Sequence, residues 1–436
     1  MGIWNGLTGP EQPMPEVHFE VDVDAPPDEQ PGANPFNRWH PDIESVVTVE
    51  PGETIRLECL DWTGGQIQDN DNANEVRDVD LNQVHYLSGP VEVSGAESGD
   101  LLKTTLLDIG PLNERSEFGF TGIFSQQNGG GFLTDHFPDA AKAIWDLDGT
   151  YVSSRHIQDI YYEGMIHPGL IGTAPSQELL EEWNEREQEL IEKHEEDPES
   201  IQNHPTGESE PPVASPPTTD GALPGEATGD AADRIAEEGA RTVPPREHGG
   251  NCDIKDLSLG STIYFPVFVD GAKFGIGDIH ASQGDGEITF CGAIEMAGYV
   301  DLKFELVKDG MNKYGIDHPI FEPGHRGPNF SDYVVFEGYS VTEEGEQRYM
   351  DAHVAYRRAA LEAIEYLTKF GYTREQAYMI LGTVPIEGRQ SGIVDIPNAC
   401  STIAVPKGVF EFNISPDALD EHESHGQIPI TDDPLG

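Results

Sequence analysis

Residues 248–298, HGGNCDIKDLSLGSTIYFPVFVDGAKFGIGDIHASQGDGEITFCGAIEMAG, decide how this chain is read. Short apolar runs alternate with Gly and polar residues, the pattern of β-strands joined by turns. Asp253, Asp278, His280, Asp285, Glu287 and Glu295 all lie here, more metal ligands and acid/base groups than a core needs. On a strand, side chains at i and i+2 share a face, so Asp278 and His280 should project together. The SQGDGE that follows reads as a turn in which Gly284 and Gly286 can take φ > 0. It should carry Asp285 and Glu287 back to the same end of the sheet.

Outward from this stretch the same grammar recurs. VVTVEPGETIRLECLDW (46–62) and VEVSGAESGDLLKTTLLDI (91–109) each place two β-rich runs around a Gly and polar centre, as does LSLGSTIYFPVFVDGAKFGIGDIH (257–280). They read as related hairpins, so the expected fold is mostly β with a minor α part (α+β). It would be a sandwich- or barrel-like set of hairpin repeats plus a C-terminal helical segment. QELLEEWNEREQELIEK (177–193) predicts an exposed helix with Leu179, Leu180, Trp183, Leu190 and Ile191 on one stripe and Ser176 at its N-cap. DAHVAYRRAALEAIEYLTKF (351–370) predicts an amphipathic helix with Val354, Leu361, Ile364 and Leu367 inward, and Thr373 to Gln376 fits a capping box for another. Residues 69–80, DNDNANEVRDVD, lack the Gly and Glu of an EF-hand in register and read as a solvated loop.

The domain plan is an acidic N-terminal arm over 1–37, one catalytic domain over 38–416, and an acidic tail over 417–436. The arm could hold one short edge strand at His18 to Val21. Residues 194–230, rich in Pro and Glu, form an acidic surface insertion.

The chain of 436 residues carries 80 Asp+Glu against 25 Lys+Arg, a formal charge of −55. Phosphate binding needs a basic face, so nucleic acid is not an expected partner, nor is a membrane. Self-repulsion of this size is screened at molar salt, where the Debye length is about 3 Å, which points to a halophilic source. There is no apolar run of transmembrane length and no secretory leader pattern, so the expected location is cytoplasmic. Four scattered cysteines make neither a disulfide framework nor a zinc ribbon.

No GxSxG elbow exists, and Ser153–Ser154 lacks a glycine-rich setting. Cys252 and Cys291 are the candidate thiol nucleophiles. A metal-activated water is the stronger option, held by three or four His/Asp/Glu ligands with one position open. Candidate ligands are Asp61, His167, Asp253, Asp278 and His280, with His85 as an outside choice. Glu287 is the candidate general base and acid, supported by His280 and Glu295. Gly249, Gly250, Asn251 and Gln283 are candidate substrate contacts, and Gly64–Gly65 a weaker source of oxyanion donors.

Several motifs taken together resemble the acetamidase/formamidase family, formamidase branch. They are GGNCDIKDLSLGS, GDIHASQGDGEITFCGAIEMAG, VHYLSGPVEVSGAESGDLL, HPGLIGTAPS (167–176), GARTVPPREHGGN (239–251), YMDAHVAYRRA (349–359) and SGIVDIPNAC (391–400). The resemblance runs from about Trp39 to Pro416 and departs at the acidic insertion. It implies hydrolysis of a short aliphatic amide, formamide first, to a carboxylate and ammonia. With the residue reading, it gives a divalent metal, zinc, as the expected cofactor. It also implies a homo-oligomer, with three copies the expected count and the 177–193 helix as candidate contact. The alternatives are a thiol-dependent amidase on Cys252 or Cys291, acetamide as main substrate, and a non-catalytic β-sandwich binding protein.

Overall fold

The three expected hairpins do not pair with themselves; each splits between two sheets. Val47–Val49 runs parallel to Leu87–Val93, while Thr54–Cys59 pairs with Val17–Phe19 and Gly298–Val307. Leu87–Val93 stands beside Phe274–His280 in one sheet, and Leu101–Pro111 beside Thr262–Pro266 in the other. Each repeat is therefore a crossing between the layers of a sandwich. An alternating pattern specifies which face is buried but not which edge is paired, so hairpin and crossing look alike in sequence. The computed structural model describes residues 15–112, 118–204, 211–324 and 327–419. Residues 1–14 of the arm, 205–210 of the insertion and 420–436 of the tail lie outside them.

Among the described residues one layer has six strands and the other eleven. Their inner faces share one core, with Leu57, Leu102, Val300 and Phe304 from the first and Val91, Ile171, Ile276 and Ile279 from the second. The Phe274 and Phe304 rings meet across the layers at 5.0 Å. The expected edge strand of the arm is present as Val17–Phe19, at the rim of the six-stranded sheet. The architecture is the mostly β, α+β fold expected.

The strand Phe274–His280 is the fork of the larger sheet. One edge pairs along its length with His167–Gly172. The other edge pairs first with Leu87–Val93, through Gly277 and Leu87, and then with Phe290–Met296, through Ile279 and His280. Asp278 sits at the changeover with φ 56°. Phe274, Ile276 and Ile279 all lie in the core, a spacing that strict alternation cannot produce. The left-handed turn at Asp278 supplies the missing half-step and takes Asp278 and His280 away from the core face.

A third sheet, Tyr333–Tyr339, Cys400–Pro406 and Glu387–Gly392, carries the helix Ala352–Thr368 on one side. That helix is N-capped by Asp351 and buries Val354, Ile364 and Leu367 with four alanines; Leu361 is only partly buried. The next helix, Arg374–Thr383, has the expected capping box of Thr373 and Gln376. These elements brace the SQGDGE turn. Gly284 N–H donates to Gly382 O at 2.7 Å, Tyr356 Oη donates to Asp285 O at 2.6 Å, and Gly388 N–H donates to Asp285 Oδ2 at 2.8 Å.

Two sequence expectations change. The helix Gln177–Glu196 turns its stripe onto its own chain, with Leu180 and Trp183 buried, so its apolar residues offer little to a second copy. The 69–80 segment contains a short helix, Asn74–Asp78, and closes around a cation of the protein itself. The buried Lys142 ammonium donates to Gln68 O at 2.7 Å, Glu75 Oε2 at 2.7 Å and Asn70 Oδ1 at 3.2 Å. Arg155 pairs with Asp69 at 2.7 Å and Asp71 at 2.9 Å.

Candidate active site

Five chemistry-bearing residues of the 248–298 stretch converge behind the fork. Asp278 and His280 come from Phe274–His280, and Glu295 from the facing strand, where it pairs with His280. Asp253 follows the strand Gly249–Asn251, and Glu287 comes from the braced turn. Asp253, Asp278 and Glu287 all have positive φ, at 49°, 56° and 44°. Non-glycine residues in that region cost free energy and gather at functional sites. The main chain of Asp253 is held by its N–H donating to Gly169 O at 3.1 Å.

The donor atoms form two overlapping groups, Asp253/His280/Glu287 and Asp278/His280/Glu295, each with its ligand atoms within 4.8 Å of one another. His280 Nε2 lies 3.2 Å from Asp278 Oδ1 and 3.0 Å from Glu295 Oε2. Yet His280 Nε2, Glu295 Oε2 and Asp253 Oδ1 are buried with no aligned hydrogen-bond partner among the described residues. Close-packed buried ligand atoms whose hydrogen bonds are left out of line are compatible with a cation among them. Gly169 forms the floor: a Cβ there would stand 2.6 Å from Asp278 Oδ2, 2.6 Å from His280 Cε1 and 2.7 Å from Asp253 Oδ1.

Electrostatics point the same way. Burial pushes the Glu287 carboxyl up to about 8 and that of Glu295 up to about 7. Burial, with Glu287 and Asp278 beside it, holds Asp253 well above the usual carboxylate range. Burial lowers the basicity of His280, but the charges of Glu295 and Asp278 outweigh it and raise the imidazole well above its ordinary value. Asp278 is desolvated too, and His280 more than offsets this and holds it low. The cluster is short of positive charge, and protons fill the gap unless a cation does.

His167 and Gln283 form the backing. Gln283 Nε2 donates to Asp253 O at 2.7 Å, which turns Gln283 Oε1 towards His280 Nδ1 and His167 Nε2, both at 2.9 Å. His280 Nδ1–H donates to it, leaving Nε2 to face the carboxylates. His167 Nδ1–H donates to Met165 O at 2.7 Å and burial takes its pKa down to about 3, so its bare Nε2 cannot bond Gln283 Oε1 and instead faces the His280 Nδ1–H at 3.3 Å as an acceptor. His167 therefore supports His280 and falls outside both ligand groups, contrary to the sequence expectation. Gln283, expected to touch substrate, spends its amide on these internal bonds.

Asp61 is likewise displaced from the expected ligand set. Its carboxylate caps its own turn, accepting from Thr63 N at 2.9 Å, Thr63 Oγ1 at 2.5 Å and Gly65 N at 3.0 Å. This also uses the Gly64–Gly65 turn. Gly249 and Gly250 are ladder residues between His167–Gly172 and Pro245–Arg246, which removes them as oxyanion donors at the cluster. Asn251 donates Nδ2 to Val243 O at 3.1 Å but keeps a buried Oδ1 without a donor. His85 lies against Trp62 at 5.3 Å and feels the charge of Asp278. Asp285 stays out of the cluster and pairs with the buried Lys255 at 2.5 Å. Burial pushes the Cys252 thiol up to about 12 and Cys291 well above its ordinary value, the wrong direction for a thiolate nucleophile. Gly169 was missed in sequence; a Gly inside the β-run HPGLIG was its one signal.

Comparison with known proteins gives the family and the class of reaction. The model of the Acetamidase/Formamidase family matches residues 20–412. A formamidase of Methylophilus methylotrophus is 57% identical over 399 residues, 92% of this chain and 95% of that protein. An acetamidase of Mycolicibacterium smegmatis is 54% identical over 385 residues, 86% of this chain and 91% of that protein. The solved structure of a gamma lactamase from Delftia acidovorans superposes with a TM-score of 0.87 at 56% identity, covering 92% of this chain and 95% of that one. This chain belongs to the acetamidase/formamidase family and is a hydrolase acting on amide C–N bonds.

Proposed function

We propose that the chain hydrolyses a short linear amide, formamide foremost, to the carboxylate and ammonia at the Asp253/Asp278/His280/Glu287/Glu295 cluster. A divalent cation, zinc the expected one, completes the site. The observation that carries the reading is the buried convergence of Asp253 Oδ1, His280 Nε2 and Glu295 Oε2, none with a well-aligned hydrogen bond among the described residues, above a glycine floor. An ion held there supplies Lewis-acid polarisation of the amide carbonyl and lowers the pKa of a water.

The chain's own residues do the rest. Glu287 Oε1 accepts from Gly292 N–H at 3.3 Å and its carboxyl lies beside Asp253 and His280, where it would take a proton from the attacking water and hand it to the leaving amine. Asp253, Asp278, His280 and Glu295 hold the charge, with Gln283 and His167 fixing the His280 ring. Asn251, whose buried Oδ1 lacks a donor among the described residues, remains the candidate contact for the substrate NH2 group. Trp62, His85 and Cys291 border the cluster with rigid rings and a small side chain, which suits a short acyl group.

Ammonia release from formamide, acetamide and propionamide tests the assignment, with 2-pyrrolidinone ring opening as a further arm because one relative is named a gamma lactamase. Formamide as the best substrate supports the proposal, and a preference for the lactam or for acetamide moves it within the family. The acidic excess supports a salt-adapted, cytoplasmic enzyme, and activity that rises with KCl to molar levels is the expected result. No helix among the described residues is long and apolar enough to cross a membrane. Homo-oligomerisation, with three copies expected, belongs to the same reading; exposed Val335, Tyr339, Ile393, Val394 and Ile396 support it, and light scattering in KCl tests it.

A further inference from the structure

Arg38 and Arg241 face each other in the antiparallel pair Ala240–Arg241 with Arg38–Trp39. Arg38 is fully buried and Arg241 is 6% exposed. Neither forms an ion pair with a carboxylate among the described residues, in a chain with 80 acidic residues to choose from. Arg38 is held by neutral oxygens alone: Nη1 donates to Asn37 O and Oδ1 at 2.9 and 3.1 Å, and Nη2 to Thr218 O, Asp220 O and Asn82 O at 2.9, 3.0 and 3.3 Å. Arg241 Nη2 donates to Leu81 O. The Nε–H groups of both are buried and donate to nothing among the described residues. The nearby carboxylates are committed elsewhere. Glu187 pairs with Arg246 at 2.5 Å, and Asp80 accepts from Asn82 N at 3.0 Å and Gln83 Nε2 at 2.9 Å.

Two adjacent guanidinium ions taken out of water with no carboxylate in contact are unfavourable, because desolvation and mutual repulsion add and the more distant Asp80 and Glu187 charges do not offset them for Arg241. Two free, buried N–H donors are a second cost. One small anion accepting from both removes both costs, and a large one would displace the carbonyl cage around Arg38. We infer that the Arg38–Arg241 pair is a structural site for a small monovalent anion, chloride or a short carboxylate such as formate. The formate source rests on the proposed amide hydrolysis; the chloride source does not. The site fastens the acidic insertion, since Arg38 also holds Thr218 and Asp220, and Asn37 holds Gly221 O and Leu223 N. It adjoins the active site through Thr242, whose Oγ1 accepts from His85 N at 2.6 Å.

The test is thermal unfolding of the full chain at constant potassium and constant ionic strength, with chloride exchanged stepwise for bulky isethionate. A saturable rise in Tm with chloride is expected, because a ligand of the native state alone stabilises it. Arg241→Gln should abolish the rise. Formate in place of chloride identifies the occupant: the anion that saturates at the lower concentration is the preferred one, and either upholds the site. A wild-type Tm indifferent to the identity of the anion overturns the inference. If Arg241→Gln does not fold, wild-type crystals grown in bromide decide the matter, with an anomalous peak between the two guanidinium groups expected and its absence overturning the site. None of these readouts depends on amide hydrolysis, so failure here and failure of the proposed function remain distinct.

Discussion

Gly169→Ala is the sharpest perturbation of the cluster. The backbone at Gly169 does not lie in the left-handed region, so an Ala fits its conformation. The methyl group would meet Asp278 Oδ2 and His280 Cε1 at 2.6 Å and Asp253 Oδ1 at 2.7 Å. Ordinary carbon contacts need about 3.5 Å, so three buried groups must each give by nearly an ångström. Misplacement on that scale costs roughly 100-fold in rate, and overpacking costs about 1–3 kcal/mol of stability. Gly172→Ala is the matched control. It lies in the same strand and is crowded by His248 O at 2.9 Å and Gly250 N at 3.0 Å, but it touches no cluster residue. Both variants should lose similar stability in urea unfolding. Only Gly169→Ala should lose kcat/KM for formamide by about two orders of magnitude, on the same basis. Near-normal activity in Gly169→Ala, or an equal loss in Gly172→Ala, would refute the view that this glycine makes room for the reacting groups.

Further outcomes follow from the same geometry. Glu287→Gln should lower kcat by about 10²–10⁴ with little change in melting temperature, as steady-state kinetics and thermal unfolding would show. Cys252→Ala and Cys291→Ala should each keep most activity, since burial holds both thiols protonated; loss of activity in a folded variant of either would favour the thiol mechanism. Lys142→Met should cost about 3 kcal/mol, the low end for removing one partner of a buried pair, because Glu75 retains 18% exposure. In metal-free protein, Glu287 and Glu295 titrate higher when folded than when unfolded. The folded state therefore binds more protons between the ordinary carboxylate range and about pH 7–8, and stability should fall as pH rises through that window, by at most about 1.4 kcal/mol per pH unit for each carboxyl. Urea titrations across that range should show the decline with chelator present and a flatter profile with zinc.

The site was more legible in sequence than the topology. Asp253, Asp278, His280, Glu287 and Glu295 come from one stretch of 51 residues, because a strand, its turn and the returning strand bring their ends together. The pairing of Asp278 with His280 was expected from regular alternation, yet it is achieved across a left-handed residue at a fork. No alternation pattern encodes that fork. The crossings read as hairpins for a related reason: strand patterning records burial and is silent on the partner. Asp61, His167 and Gln283 are polar residues in motif-like settings, and sequence cannot tell a capping, backing or bracing group from a ligand. Gly169 and Lys142 act through the space and charge they give residues far away in the chain. The helices were legible because their caps and stripes are local.

Ammonia release from formamide in about molar KCl, where screening is strongest, is the most direct test of the central claim. It should be measured before and after dialysis against a strong chelator, and again after zinc is restored. The account predicts activity on formamide that is lost with the chelator, returns with zinc and stays absent in zinc-treated Glu287→Gln. Activity that survives exhaustive removal of metal from the folded protein would contradict it.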